Sequence, residues 1–292
     1  MRPLILEPYP VLTVSGDDGA MVTRTALISP TSAPSPAAGS RPAPAPVELP
    51  PDRLGAPLDL ERIRAELTPL DAEGRLRWAW QTFGEGLALT TSFGIQSAVL
   101  LHMASRLGET IPGPGIPVLW VDTGYLPPET YRYADQLQEL LPINLKVVQA
   151  ELSPARMEAR HGQLWETGRI EDLKLYNRIR KVEPLDWALA DLKVRCWASG
   201  VRGGQTDHRL GMRVIDPVRG LWSLRPLLEW TTRDVYYYME ANGLPQHPLF
   251  EQGYSTVGDW HSSGPEDGSL SGRATRFGGL QQECGIHLGE GI

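Results

Sequence analysis

The sequence predicts an α/β protein built on a doubly wound, mostly parallel sheet. Three observations carry this. Apolar runs of strand length recur from Gly86 onward, helix-length amphipathic segments separate them, and glycine-containing polar loops follow three of the runs. Strands joined by helix-length segments require parallel crossovers, and such sheets bind ligands beyond the strand C-termini.

The elements follow in order. Residues 1–56 are read as an N-terminal extension: a segment from Pro3 to Ile28 with a few short apolar runs, then Ser29 to Pro51, nearly all Pro, Ala and Ser. That composition buries too little apolar surface to offset the entropy of ordering it, so a flexible linker is expected. Residues 57–255 form the predicted main folded domain. Leu60, Ile63, Arg64 and Leu67, then Leu76, Trp80 and Phe83, have helical spacing. Gly86 to Thr91 reads as a buried strand, Gln96 to Leu107 as a helix and Pro117 to Val121 as a strand. Glu129 to Leu141 reads as a helix, and Leu145 to Val148 and Val194 to Ala198 as further strands. The functional loops are therefore expected after Thr91, Val121 and Ala198. Residues 256–292, rich in Gly, Ser, Asp and Arg with fading apolar periodicity, are read as a mobile C-terminal tail.

Composition narrows the function. The 41% hydrophobic content supports a sizeable core, and no stretch approaches the ~20 apolar residues of a membrane span. Two cysteines allow neither a disulfide framework nor a four-cysteine metal site, which points to a reducing, cytoplasmic setting. A net charge of −7 argues against a general nucleic-acid surface, although a local basic cluster can still hold a small anion.

The two cysteines differ in character. Cys196 lies in an apolar strand and reads as core packing, whereas Cys284 stands in Glu283-Cys284-Gly285-Ile286-His287 on a polar, glycine-flanked end. A thiol kept there reads either as a delivered nucleophile or as a stray thiol on a frayed end, and His287 is the one histidine given a chemical role beside it. The first loop, Ser92-Phe93-Gly94-Ile95-Gln96-Ser97, runs straight into an apolar helix. It reads either as an anion cradle of hydroxyls and helix N-terminal amides or as an ordinary helix cap. Its glycine spacing excludes a Walker A loop. Asp122-Thr123-Gly124 is read as a nucleotide-facing loop or a turn. The loop from Gly200 to Arg209 contains Arg202 and Arg209, either as ligand contacts or as solvated surface. Lys174, Arg178, Arg180 and Lys181 form a cationic stretch, with a solvated helix face as the default reading, and Trp78, Trp80 and Trp120 read as core.

Four motifs carry a resemblance: Thr91 to Ser97, Asp122 to Leu126, Lys181-Val182-Glu183-Pro184-Leu185 and Glu283 to His287 resemble the phosphoadenylyl-sulfate (PAPS) reductase family. The likeness runs in order from about Asp71 to Leu288 and includes His247 to Phe250, Gly253 to Asp259 and Thr275-Arg276-Phe277. It implies an adenine nucleotide alpha hydrolase-like (PP-loop) sheet, with substrate contacts at the first three loops, Lys181 and Arg276. Relatives that reduce adenylyl sulfate (APS) with a 4Fe–4S cluster carry four cysteines. The matching positions here are Tyr176, Asn177, Asp259 and Ser262, so no cluster is expected and PAPS is the implied substrate. One departure stands in the third loop, where relatives have paired arginines and this chain has Arg202 followed by Gly203-Gly204; Arg209 and Arg213 are the candidates to replace the second arginine.

The resemblance implies that the Cys284 thiolate attacks the sulfuryl sulfur, displaces adenosine 3′,5′-bisphosphate and leaves an S-sulfocysteine. Reduced thioredoxin or glutaredoxin then frees sulfite, and family analogy adds a homodimer. A cluster-free APS reductase, a PP-loop enzyme that adenylates with ATP, and a non-catalytic nucleotide sensor with a redox switch are the competing readings.

Overall fold

The computed structural model of the chain describes residues 48–281, 283 and 285–287. The expectations for residues 1–47 lie outside the described residues, as does Cys284.

Two capped helices open the domain. Asp59 accepts from the Arg62 amide to start α1 (Leu60–Leu67), and Asp71 accepts from the Gly74 amide to start α2 (Ala72–Phe83). Both bury the faces that the apolar spacing marks, Ile63 and Leu67 on one and Leu76 and Phe83 on the other. Ahead of them the chain is tied to the core, since Trp222 Nε1 donates to Pro50 O at 2.8 Å and Arg195 Nη1 to Asp52 O at 2.8 Å.

The sheet then forms by crossovers: β1 (Leu87–Thr91), α3 (Ser97–Gly108), β2 (Pro117–Asp122), α4 (Pro128–Leu140) and β3 (Asn144–Gln149). Helices α5 (Pro154–His161), α6 (Ile170–Asn177) and α7 (Glu183–Asp191) lead to β4 (Cys196–Ser199), with a π turn over Arg178–Val182 between the last two helices. After a short α8 (Asp207–Leu210), β5 (Ile215–Val218) and β6 (Leu221–Leu224) make a hairpin, and α9 (Thr232–Ala241) closes the regular structure.

The strand order is β3-β2-β1-β4-β6-β5, parallel throughout except for β5, which runs antiparallel to β6 at the edge. The sheet is thus doubly wound and mostly parallel. The chain builds outward from β1 through β2 to β3, then returns to place β4 on the other side of β1, with Leu89 opposite both Val118 and Ala198. This reversal opens a crevice at the C-terminal ends of β1 and β4, where doubly wound sheets bind ligands.

The edge hairpin and α9 go unread in the sequence. Arg219 (φ 55°) and Gly220 (φ 76°) form the two-residue turn between β5 and β6, both in the left-handed region that tight hairpins need. Pro217 is tolerated because β5 is an edge strand. Cys196 is fully buried in the sheet, and burial pushes its thiol well above the usual range, so it behaves as an apolar packing group. Trp120 packs in the core, with Trp78 and Trp80 half-buried against it. Among the described residues, no helix is long and apolar enough to cross a membrane.

Candidate active site

The crevice is walled by the three loops that follow β1, β2 and β4. In the first, Phe93 takes a left-handed backbone (φ 46°) and turns its ring into the core, edge-on to Trp120 with centroids 4.8 Å apart. A bulky residue in that region is strained, and burial of the ring holds it there. Phe93 therefore anchors the loop rather than facing the pocket. The Thr91 hydroxyl accepts from the Phe93 amide, and the Gly94 carbonyl accepts from the Ser97 amide and hydroxyl at 3.0 and 2.8 Å. Ser92, Gly94, Ile95, Gln96 and Ser97 then line the pocket at the start of α3.

The second loop divides labour between neighbours. Asp122 accepts from the Gly124 amide at 2.9 Å, the Tyr131 hydroxyl at 2.6 Å and Gln149 Nε2 at 2.8 Å, so it shapes the turn. Gly124 (φ 73°) is needed for its backbone and for space, since a Cβ there would meet Pro154 Cγ at 2.6 Å. Thr123 lines the pocket. Arg180, buried, donates to the Thr123 carbonyl through Nε at 2.9 Å and also to the Leu152 carbonyl, clamping this loop from behind.

Lys181, next in sequence, lines the pocket itself. The cationic stretch thus splits: Lys174 is half-buried and Arg178 exposed, as on a solvated face, while Arg180 and Lys181, further along the π turn, are buried. Lys181 Nζ lies 2.5 Å from Oδ2 of Asp259, a fully buried carboxylate. Burial alone would raise the Asp259 pKa, but Lys181, His261 and the Thr123 hydroxyl outweigh it and hold the carboxyl well below the usual range.

The third loop meets the end of the chain. Arg202 is buried and donates to Gln96 Oε1 and to Thr232 Oγ1, tying the first loop to the start of α9; burial and Arg209 both push its pKa down. It lines not the crevice but a second cleft, with Gly203, Gly204 and Arg213. Arg209 lines the crevice but is engaged by Glu283, donating from Nε and Nη2 to the two carboxylate oxygens at 2.8 Å each. Thr206 Oγ1 adds a hydrogen bond to Glu283 at 3.0 Å, and Arg273 Nη2 stands 3.6 Å from it. Arg213 is exposed and away from the crevice. Arg273, unread in the sequence although it makes an Arg-x-x-Arg pair with Arg276, lines the pocket beside it.

Arg276 is buried and packs on Gly258, where a side chain would collide with its guanidinium. Ile286 and His287 reach the pocket from the chain end, and His287 stacks on Trp197 at 5.4 Å between ring centroids. Burial, reinforced by Arg209, Arg225 and Arg273, lowers the His287 pKa well below its ordinary value, so the ring is neutral.

The pocket combines two surfaces. Leu89, Leu119, Val121 and Leu185 give an apolar floor suited to a flat base, and Lys181, Arg209, Arg273 and Arg276 line it against a single acid among the described residues, Asp259. An otherwise acidic chain thus concentrates positive charge at one sheet edge, where a polyanion would bind. The positions considered for a cluster hold Tyr176, Asn177, Asp259 and Ser262, all buried and none a thiol, so they do not fit an iron–sulfur centre. Among the described residues, no group of three or more His, Cys, Asp or Glu could hold a metal ion.

Comparisons with known proteins agree with this geometry. The family profile described as "Phosphoadenosine phosphosulfate reductase domain" matches residues 86–265. The phosphoadenosine 5′-phosphosulfate reductase of Synechococcus sp. is 54% identical over 230 residues, covering 78% of this chain and 97% of that protein. The protein of the same name from Synechocystis sp. is 49% identical over 236 residues, covering 79% and 91%. Among solved structures, the phosphoadenylyl-sulfate (PAPS) reductase of Candida auris in a phosphate complex superposes with a TM-score of 0.60 at 29% identity, covering 71% of this chain and 98% of that one.

Proposed function

The chain belongs to the phosphoadenosine phosphosulfate reductase family, and from that premise we propose that it reduces PAPS to sulfite and adenosine 3′,5′-bisphosphate with Cys284 as nucleophile. The observation that carries the role of Cys284 is the anchoring of its sequence neighbours. Glu283 is held by Arg209 of the third loop, and Ile286 and His287 line the crevice between the sheet loops.

The Cys284 thiolate, having given up its proton, forms a bond to the sulfuryl sulfur as the S–O bond to the phosphate breaks. The electron pair leaves with adenosine 3′,5′-bisphosphate. The bisphosphate and sulfuryl oxygens gather negative charge, which Lys181, Arg273 and Arg276 are placed to neutralise. The Ser92 hydroxyl and the backbone amides of Gly94, Ile95 and Gln96, just ahead of α3, add donors for a phosphate. His287, neutral, supplies a hydrogen-bonding ring without adding charge. One thiolate of a dithiol protein, thioredoxin or glutaredoxin, then attacks Cys284, and sulfite departs with the S–S electron pair. The donor's second thiol resolves the mixed disulfide, so the donor is oxidised by two electrons and sulfur is reduced by two. Cys196, buried in the sheet, is no resolving thiol. Chemistry that passes through a free thiolate and an external dithiol belongs in a reducing compartment, the cytoplasm.

Intact-mass analysis after incubation with PAPS and no donor tests this: the wild type gains ~80 Da and Cys284→Ser gains nothing. An adduct on Cys284→Ser would refute the assignment.

A further inference from the structure

We propose that Asp259 is a positioning residue for the reductase reaction, fixing the Lys181 ammonium at the pocket wall and joining it to the Thr123 loop. The proposal rests on the reading above and assigns a role to a side chain that does not touch the reacting atoms.

The geometry is that of a three-way tie. Asp259 is fully buried, and its Oδ1 accepts from the Thr123 hydroxyl at 2.5 Å while its Oδ2 meets Lys181 Nζ at 2.5 Å. Thr123 comes from the loop after β2, Lys181 from the π turn before α7, and Asp259 from the segment that also brings Ser255 to Gly258 to the pocket. The next residue reinforces the link, because the Trp260 amide donates to the Tyr125 carbonyl at 2.8 Å. Three chain segments that line one pocket therefore share a single carboxylate.

The lysine is held from other sides as well. Its Nζ lies 5.5 Å from the centroid of the Tyr176 ring, a cation–π contact that confines the ammonium. His261 hydrogen-bonds the Tyr176 hydroxyl at 3.1 Å and stacks flat on Trp165 at 4.1 Å, so Tyr176 is itself braced. An ammonium has three donors. Asp259 supplies, as an ion-pair partner, the counter-charge that a buried cation requires, and the ammonium keeps donors for an anion in the pocket. A single lysine on a flexible stem would sample many positions; this one is fixed before substrate arrives.

The test is a double-mutant cycle on the full chain, with PAPS and reduced thioredoxin. Asp259→Asn keeps the shape and an acceptor for Thr123 but removes the charge. Its kcat/KM for PAPS is expected to fall about tenfold to a hundredfold, with the KM for thioredoxin unchanged. In a Lys181→Met background the same substitution is expected to change kcat/KM by less than about twofold, because Asp259 acts through Lys181. Asp259→Asn within twofold of wild type, or independent effects of the two substitutions, would overturn the proposal. Should Asp259→Asn alone not fold, the Lys181→Met/Asp259→Asn variant, which leaves no unpaired buried charge, is compared with Lys181→Met: equal activity supports the role and a further loss contradicts it. Wild-type activity is the control, since a wild type that releases no sulfite from PAPS defeats the underlying reading before any variant is compared.

Discussion

Glu283→Gln removes the charge that holds the chain end on the third loop while keeping nearly the same shape. Arg209 makes two hydrogen bonds of 2.8 Å to this carboxylate and Thr206 one of 3.0 Å. The two charged side chains are only 5% and 11% exposed, so solvent screens them little. Burial opposes ionisation of Glu283, but hydrogen bonding from Arg209 and the charges of Arg273 and Arg209 win and lower its pKa. A glutamine retains one acceptor for the fork. With charge-assisted bonds worth about 1.5–3 kcal/mol each, loss of one costs about 2 kcal/mol, or about thirtyfold in the equilibrium constant for docking the chain end. The assay is a single turnover at saturating PAPS without donor, quenched in acid and followed by intact mass. The rate of sulfonation of Cys284 should fall by up to about thirtyfold, or alkylation of Cys284 by iodoacetamide in the free enzyme should speed up by up to the same factor, the two changes sharing the shift in the equilibrium. If both rates stay within twofold of wild type, Glu283 is not the anchor and the argument from its contacts fails.

The remaining expectations are these. Cys196→Ser should turn over at nearly the wild-type rate, since the thiol is buried in β4, with a stability loss of about 1 kcal/mol measured by urea unfolding. Gly258→Ala should displace the Arg276 guanidinium and lower kcat/KM about tenfold or more without unfolding the protein, checked by kinetics beside circular dichroism. Acidification should destabilise the fold through His247. This ring is fully buried, accepts from the Leu249 amide at Nδ1 and meets Thr130 Oγ1 through Nε2, and burial holds its pKa at about 4. The unfolded chain takes up the proton first, at about pH 6.5. The contribution is therefore intact above pH ~6.5 and is lost as the pH falls toward ~4, with a slope approaching about 1.4 kcal/mol per pH unit. Urea unfolding at pH 7 and pH 5 should show this dependence in the wild type and a flatter one in His247→Asn; equal slopes would remove His247 as the cause.

The parallel core of the fold is legible because its strands are apolar runs long enough to register. β1 to β4 and the helices α3 and α4 fall within a residue or two of their expected bounds. The β5–β6 hairpin is not, because each strand has four residues, one of them Pro217, too short a span for any period to show. Helix α9 exposes Tyr236 and Tyr237 on its outer face, which blurs its apolar stripe. At the site, the three loops are placed by the topology alone, whereas roles within them depend on tertiary contacts. Phe93 is an anchor, Asp122 a turn former and Arg180 a clamp, and nothing in their spacing separates them from Thr123 and Lys181, which line the pocket. Asp259 is the clearest case. Its partners lie 136 and 78 positions away in the chain, so only the folded structure reveals that an acid after a glycine holds a lysine.

The central claim is that this pocket transfers the sulfonate group of PAPS to Cys284, from which an external dithiol displaces it as sulfite. Sulfite release from PAPS and from APS, measured side by side with reduced thioredoxin as the sole electron donor, tests it most directly. Sulfite from PAPS, with little from APS, is the predicted result; sulfite from APS alone would contradict the substrate assignment, and none from either would contradict the reductase reading itself.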